Sequence, residues 1–165
     1  MTLADMAEEV AELLRRRGDT IAVAETSTGG LISSALLAVP GASAYYKGGS
    51  VLYTYESRKK LLGIKGQDVE GLAPMSEAMV MAFAHKAQAQ FASTWAIAEL
   101  GIAGPTGVVY GEAGSSVIGI AGPNPVSALL NTGSSEREGN MWRFTGHALS
   151  LLCKALSEDS GPLRS

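Results

Sequence analysis

Apolar residues recur every three or four positions in several stretches of the chain, which is the spacing of a buried helix face. One stretch closes at Gly18, a residue type that favours the left-handed backbone of a helix end. Another stops at Pro40, because proline cannot continue a helix. The spacing predicts helices from Leu3 to Gly18, Leu31 to Val39, about Glu56 to Leu62, Ser76 to Phe91, and Gly146 to Leu156.

Between these helices lie short apolar runs, many of them β-branched, that predict strands. They cover Thr20 to Ala24, Tyr45 to Thr54, Thr94 to Glu99, Ser116 to Ala121, Val126 to Asn131 and Met141 to Thr145. Gly48 and Gly49 inside the second run indicate a bulge or a close backbone approach. A turn at 122–125 predicts a hairpin between two later strands. Residues 132–140 are predicted to form a polar loop.

Strands that alternate with helices and are apolar throughout are typical of a sheet covered on both faces. We therefore expect a three-layer α/β/α sandwich with a largely parallel sheet, which the hairpin makes mixed. The length of 165 residues suits one domain, which we assign to residues 1–157, with 158–165 as a disordered tail. Ligands of such sheets bind beyond the carboxyl ends of the strands.

Composition excludes several classes of function. The chain is 46% hydrophobic and 18% charged, with a net charge of −3, so it lacks the basic surface of a nucleic-acid-binding protein. A single cysteine fits a reducing compartment, and with two histidines it offers no metal cluster. No apolar run reaches the length of a membrane span. We expect a cytoplasmic protein with no metal, no cofactor, no nucleic-acid partner and no membrane contact.

The turn after the first predicted strand concentrates candidate chemistry. Thr26, Ser27 and Thr28 are followed by Gly29 and Gly30, and such a strand-to-helix turn presents free N–H groups to a ligand. Alternatively, one of the three hydroxyls merely caps the helix. A second glycine-rich loop follows the third predicted strand, Thr94 to Glu99. We expect this loop and the hydroxyl turn to form two walls of one pocket. The predicted substrate-binding residues are Ser27, Thr28, Gly29, Gly30, Gly101 and Gly104.

Six motifs in this order and at these separations resemble the C-terminal domain of the CinA family, the competence/damage-inducible proteins. They are Ala24-Glu25-x-x-Thr28-Gly29-Gly30, Pro40-Gly41-Ala42-Ser43, Gly48-Gly49-Ser50-Val51-Leu52-Tyr53, Leu61-Leu62-Gly63-Ile64, Ser76-Glu77 and Gly101-Ile102-Ala103-Gly104-Pro105. The resemblance, from about 6 to 156, implies an α/β/α sandwich that forms homo-oligomers, dimers or larger. In the family's nicotinamide mononucleotide deamidases, a serine of the hydroxyl turn hydrolyses an amide without a metal, assisted by a lysine and a tyrosine.

The residues that the resemblance places in the reaction are partly changed here. Tyr53 matches the family's tyrosine. Thr26 stands where the family has the serine, and Ser27 where it has a cysteine. Arg58 occupies the lysine position, and Leu100, preceded by Glu99, occupies a Ser/Thr position. A late arginine of the family is also missing, since His147 and Ala148 follow the Phe-x-Gly motif here.

These changes affect proton transfer and anion binding. Arg58 stays protonated and cannot act as a base, a loss typically worth ~10²–10⁴-fold in rate. The methyl group of Thr26 crowds its hydroxyl. We consider a remodelled site with Thr26, Tyr53, Arg58 and Glu99 as catalytic residues, in which Arg58 holds an anionic group and Glu99 or Tyr53 transfers protons. The alternative is that Arg58 and Glu99 form an ordinary ion pair or face solvent.

Three functional hypotheses remain open. The first is a CinA-like, metal-independent amidohydrolase with a remodelled site. The second is a diverged enzyme, of cyclase, isomerase or lyase type, that uses acid–base chemistry in the same pocket. The third is a binding protein without turnover. In each case the predicted partner is a small molecule.

Overall fold

The computed structural model describes residues 1–161, which adopt an α/β fold. Its longer helices are α1 (Leu3–Arg17), α2 (Leu31–Ala38), α4 (Glu77–Phe91) and α5 (Arg137–Glu158), with the short α3 at Tyr55–Ser57. The strands are β1 (Ile21–Glu25), β2 (Tyr46–Val51), β3 (Trp95–Ile102), β4 (Ser115–Ala121) and β5 (Val126–Asn131). Short 3₁₀ turns occupy Ala42–Ala44 and Gly66–Asp68, and α3 continues into a π-helical turn at Arg58–Leu62.

In the described part of the chain, the five strands form one sheet in the order β2-β1-β3-β4-β5. The pairings of β1 with β2 and with β3 are parallel, whereas the pairings of β4 with β3 and with β5 are antiparallel. The predicted mixed sheet and the predicted hairpin are therefore confirmed. The β1–β2 register skips Lys47, and the backbone oxygen of Val23 lies 3.0 Å from where a Cβ on Gly49 would stand. The bulge and the close approach predicted at the two glycines are both present.

The two faces of the sheet differ in side-chain size. Ile21, Val23 and Ile97 pack with α1, α2 and α5 on one side. Ala22 and Ala96, which alternate with them, pack with α4 on the other side. The small residues let α4 approach the sheet closely, and both faces are covered, so the three-layer sandwich is confirmed.

Helix ends follow the sequence signals closely. Thr2 and Asp5 form both bonds of a capping box on α1, and Gly18 ends that helix with a left-handed backbone. The Ser76 side chain accepts a bond from Met79 N at the start of α4. The prediction that a hydroxyl caps α2 is wrong, because the N-cap residue is Gly30 and it makes no side-chain cap bond.

The prediction for the last third of the chain needs two corrections. Met141–Thr145 is not a strand, and the helix does not begin at Gly146. Instead, α5 runs unbroken from Arg137, so it also includes the last residues of the predicted 132–140 loop. The reason is a buried face at helical spacing that starts earlier, with residues 140, 144, 148, 152 and 156 all buried.

One strand boundary also differs from expectation. Gly101 and Ile102 belong to β3 rather than to the loop that follows it. Glu158 is the last residue of α5, and the guanidinium of Arg17 pairs with Asp159 just beyond it. The rest of the predicted tail, residues 162–165, lies outside the described residues. Among residues 1–161, no helix is both long enough and apolar enough to cross a membrane.

Candidate functional site

The topology brings four chain segments to one edge of the sheet. Because β1, β2 and β3 are parallel, their carboxyl ends lie together. Strand β4 reverses direction and β5 reverses it again, so the carboxyl end of β5 and the start of α5 lie at this same edge. The hydroxyl turn at 26–28, the segment after β2, the loop after β3 and the beginning of α5 thus surround one region.

A cavity of about 280 Å³ opens at this edge. Predicted site residues from three separate segments line it, namely Thr26, Ser27, Tyr53, Arg58, Gly101 and Gly104. The pocket expected between the hydroxyl turn and the glycine-rich segment is therefore present. Thr106, Val108, Tyr110 and Arg137 also contribute to its lining, and no sequence motif singled them out.

Glu99 lies fully buried next to the hydroxyl turn, on strand β3. Its Oε2 accepts bonds from the backbone N–H groups of Thr26 (2.9 Å) and Thr28 (3.2 Å), and its Oε1 accepts a bond from the Ser27 hydroxyl. Burial raises the pKa of Glu99, while its hydrogen bonds to Ser27, Thr26 and Thr28 act in the opposite direction. Glu99 does not face solvent, and in the described part of the chain it forms no ion pair with Arg58. The alternative that Glu99 forms an ordinary ion pair with Arg58 or faces solvent is therefore wrong.

A second buried glutamate, Glu25 at the end of β1, reaches the N-terminus of α2 with its side chain. Its carboxylate accepts bonds from the backbone N–H groups of Gly30 (2.8 Å), Ile32 (3.2 Å) and Ser33 (3.0 Å). It satisfies the free donors of the first helical turn, the task that the sequence suggested for a hydroxyl. In the sequence, Glu25 stands out only as part of a motif, with no role of its own.

Three of the predicted substrate-binding residues stand behind the cavity rather than in its lining. The hydroxyl of Thr28 is buried between two carboxylates, 2.7 Å from Glu25 Oε1 and 3.0 Å from Glu99 Oε2. Gly29 and Gly30 have positive φ angles of 63° and 101°, and together they turn the chain into α2. Their part in substrate binding remains a prediction.

Arg58 is fixed at the mouth of the cavity by aromatic and backbone contacts. Its guanidinium carbon lies 5.0 Å from the centre of the Tyr55 ring and 5.3 Å from that of Phe83, and its Nε donates to Leu52 O at 3.2 Å. Partial burial lowers the pKa of Arg58, and the electrostatic interactions of Arg58 with Tyr55, Tyr110 and Glu99 act in the opposite direction. An arginine remains a cation under these conditions, so it supplies positive charge rather than a base.

Arg137 brings a second guanidinium to the same cavity. It donates to Tyr53 Oη from Nη2 at 3.1 Å and to the carbonyl oxygen of Gly104 from Nη1. The sequence predicted a polar loop around this residue, and the missing late arginine predicted a loss of anion binding. Ala148, at the changed position, is buried in the core, whereas the first residue of α5 supplies a cation to the cavity. A prediction that α5 begins at Arg137 would have placed this guanidinium at the same edge of the sheet.

Comparison with known proteins identifies the family of the chain over nearly its whole length. The sequence model of the CinA C-terminal domain matches residues 3–156. The chain belongs to this family. CinA-like proteins of Thermosynechococcus vestitus and Fervidobacterium nodosum are 36% and 32% identical to it, over 92% and 95% of this chain. The chain spans only 37% and 39% of the length of these two relatives.

Solved CinA-superfamily structures share the fold. A competence/damage-inducible protein of Agrobacterium tumefaciens superimposes with a TM-score of 0.85 at 26% identity, covering 94% of this chain and 96% of the other. A CinA-superfamily protein of Klebsiella pneumoniae gives a TM-score of 0.88 at 24% identity, covering 96% of this chain and all of the other, a likeness of fold alone. The three-layer CinA architecture is thus intact around the changed side chains.

Proposed function

We propose that this CinA-family chain is a metal-independent amidohydrolase that acts on a small anionic molecule. The observation that carries the proposal is that two guanidinium groups, Arg58 and Arg137, line the same cavity as the hydroxyls of Thr26 and Ser27. Positive charge beside a nucleophilic hydroxyl suits a substrate that carries a phosphate or carboxylate at one end and an amide at the other.

Each cavity residue has a role that its contacts support. Arg58 and Arg137 bind the anionic group, since a guanidinium matches the geometry of phosphate and carboxylate oxygens. Tyr53, whose hydroxyl accepts a bond from Arg137, retains its own proton to donate to the substrate. A hydroxyl of the turn attacks the amide carbon, ammonia leaves, and water then releases the acid. The family resemblance supports this class of reaction.

The proposal is tested by ammonia release from nicotinamide mononucleotide and from its riboside, which has the same amide but no phosphate. We expect turnover of the nucleotide, with KM raised about 10–100-fold in Arg137→Met, because a charge-assisted hydrogen bond is worth about 1.5–3 kcal/mol. The riboside should be a poor substrate, and the arginine variant should change its KM little.

Arg143→Met is the matched control, because Arg143 lies on the same helix, is exposed and does not line the cavity. An equal rise of KM in Arg143→Met would show that net charge, rather than the cavity, is responsible. If neither these two compounds nor a panel of other anionic amides releases ammonia, the proposed hydrolysis is wrong.

A second candidate function is acid–base catalysis without a covalent intermediate. The burial of Glu99 and its raised pKa favour it, because a carboxyl that titrates nearer neutrality can both give and take a proton. This function predicts that an anionic substrate is consumed without release of ammonia. Mass spectrometry of the reaction mixture would measure that consumption. Tight binding with neither consumption nor ammonia would instead identify a binding protein.

The family resemblance also supports two proposals about the protein as a whole. We propose that it forms a homo-oligomer, a dimer or larger, and that it acts in the cytoplasm on small molecules rather than on nucleic acid or membranes. Light scattering at several protein concentrations tests the first proposal, and a mass equal to one chain throughout would contradict it. Cell fractionation tests the second.

A further inference from the structure

We propose that Ser27, rather than Thr26, is the nucleophile of this site, and that Glu99 takes its proton. The proposal rests on the proposed hydrolytic function and names the residues that would perform it. It assigns the reaction to two positions at which the chain departs from the resemblance, a serine in place of a cysteine and a glutamate in strand β3.

Contacts within the hydroxyl turn distinguish the two candidate nucleophiles. The Ser27 hydroxyl donates to Glu99 Oε1 and lines the cavity. Thr26 lines the cavity as well, but only its backbone N–H contacts Glu99, and its hydroxyl has no hydrogen-bond partner among residues 1–161. A hydroxyl attacks a carbonyl carbon only when a neighbouring base removes its proton, so the described contacts prepare Ser27 and not Thr26.

The two oxygens of Glu99 have different surroundings, which decides where the proton goes. Oε2 is held by the backbone N–H groups of Thr26 and Thr28 and lies 3.0 Å from the Thr28 hydroxyl. Oε1 receives the Ser27 hydroxyl alone, within the described residues. The Oε2 contacts therefore hold the carboxylate in place, and Oε1 is the oxygen whose lone pair can accept the transferred proton.

Gly101 completes this arrangement. A Cβ at this position would collide with both Ser27 Oγ and Glu99 Oε1. The glycine thus leaves the room in which the Ser27 hydroxyl, which lines the cavity, meets the Glu99 carboxylate.

The reaction balances with these groups alone. Ser27 Oγ bonds to the amide carbon as its proton passes to Glu99. Glu99 returns that proton to the leaving nitrogen, and ammonia departs as the carbon–nitrogen bond breaks. Water then adds to the acyl-serine, with its proton going first to Glu99 and then to Ser27 Oγ, which releases the carboxylic acid.

Sulfonyl fluorides test the nucleophile without any knowledge of the substrate. We use 4-(fluorosulfonyl)benzoate, whose carboxylate suits the arginines, and the neutral phenylmethanesulfonyl fluoride. Attack by an activated serine forms an oxygen–sulfur bond and expels fluoride, and peptide mass spectrometry locates the label. We expect a single label on Ser27, lost in Ser27→Ala and still located on Ser27 in Thr26→Val. Ser34→Ala, an exposed serine of α2, is the control that leaves labelling unchanged.

Two variants test the base. Glu99→Gln keeps the shape of the side chain and should slow labelling by ~10²–10⁴-fold, the usual contribution of a general base. Gly101→Ala should slow it comparably, and circular dichroism verifies that each variant is folded. In the parent protein the labelling rate should rise with pH as Glu99 ionises. Two charged groups act on this ionisation, namely Glu25, on the other side of the Thr28 hydroxyl, and Arg58. Glu99→Gln should remove that rise.

The outcomes separate this inference from the proposed function. A label on Thr26, Tyr53 or a lysine overturns the inference, and so does the absence of label with both reagents. Equal labelling rates in Glu99→Gln and the parent overturn the role of Glu99. Ammonia release together with a label on Thr26 leaves the amidohydrolase proposal standing and this inference refuted. A label on Ser27 without ammonia release from any amide refutes the amidohydrolase proposal and leaves the assignment of the nucleophile standing.

Discussion

The two buried glutamates of the site have separable roles, and Glu25 provides the sharper test of stability. Its carboxylate is fully buried and accepts bonds from three backbone N–H groups of the α2 N-terminus, those of Gly30, Ile32 and Ser33. Glu25→Ala would remove both carboxylate oxygens, which together accept these three bonds. Because α2 has no side-chain cap on its N-cap residue, no other carboxylate or hydroxyl replaces them within the described residues.

The cost follows from the burial of each donor. The Ile32 N–H is buried and would lose its partner outright, at about 1–3 kcal/mol. The N–H groups of Gly30 and Ser33 are half-buried and regain water, so each costs about 0.5–1.5 kcal/mol. We expect a total loss of roughly 2–6 kcal/mol, a large part of the 5–15 kcal/mol typical of a whole domain.

Urea unfolding followed by far-UV circular dichroism measures this loss, provided that the m-value is unchanged. Glu25→Gln keeps one acceptor oxygen and should cost less than Glu25→Ala, about 1–3 kcal/mol. Glu136→Ala is the matched control, because Glu136 caps α5 through a single exposed bond to Gly139 N and should cost about 0.5–1 kcal/mol. A loss below 1 kcal/mol in Glu25→Ala would refute the capping role.

Three further predictions concern stability. Because burial raises the pKa of Glu99, the free energy of unfolding should fall as pH rises from about 4.5 through the folded-state pKa, and Glu99→Gln should remove this slope in urea titrations. Gly48→Ala places a Cβ 2.5 Å from the Phe91 ring and should cost about 1–3 kcal/mol by the same titration; a neutral result contradicts the close packing of Phe91 on this strand. Arg17→Met removes the buried partner of Asp159 and should cost about 3–5 kcal/mol, seen as a fall in Tm; an unchanged Tm contradicts it.

The sequence predicted the architecture well because the fold depends on patterns that repeat within short windows. Strand β1, for example, is both apolar and bounded by a helix end and a glycine turn. The failure at Met141–Thr145 has the same cause. Five residues with a tryptophan and a phenylalanine resemble a strand, while the helical spacing that begins at Asn140 becomes visible only over four turns.

The candidate site was less accessible from the sequence because its contacts join distant residues. The hydrogen bond between Ser27 and Glu99 spans 72 positions, and no spacing rule predicts such a contact. Similarly, the bond from Arg137 to Tyr53 spans 84 positions. The presence of Arg137 in the site follows from the direction of β5, which the predicted hairpin already implied. The position of the helix start, rather than the topology, was the missing information.

The departures from the family pattern fall into two groups with opposite chemical effects. Where the resemblance implies a nucleophile and its base, Thr26 and Arg58 would supply a hindered hydroxyl and a permanent cation, so both changes would weaken that reaction. At Ser27 and Glu99, by contrast, a hydroxyl donates a hydrogen bond to a buried carboxylate, and our inference about the nucleophile rests on this contact. A buried carboxylate at position 99 is costly unless donors surround it, and the backbone of the hydroxyl turn supplies two of them. The backbone of the hydroxyl turn therefore supports the arrangement that we infer, and a shift of the nucleophile by one residue would require new side chains but no new fold.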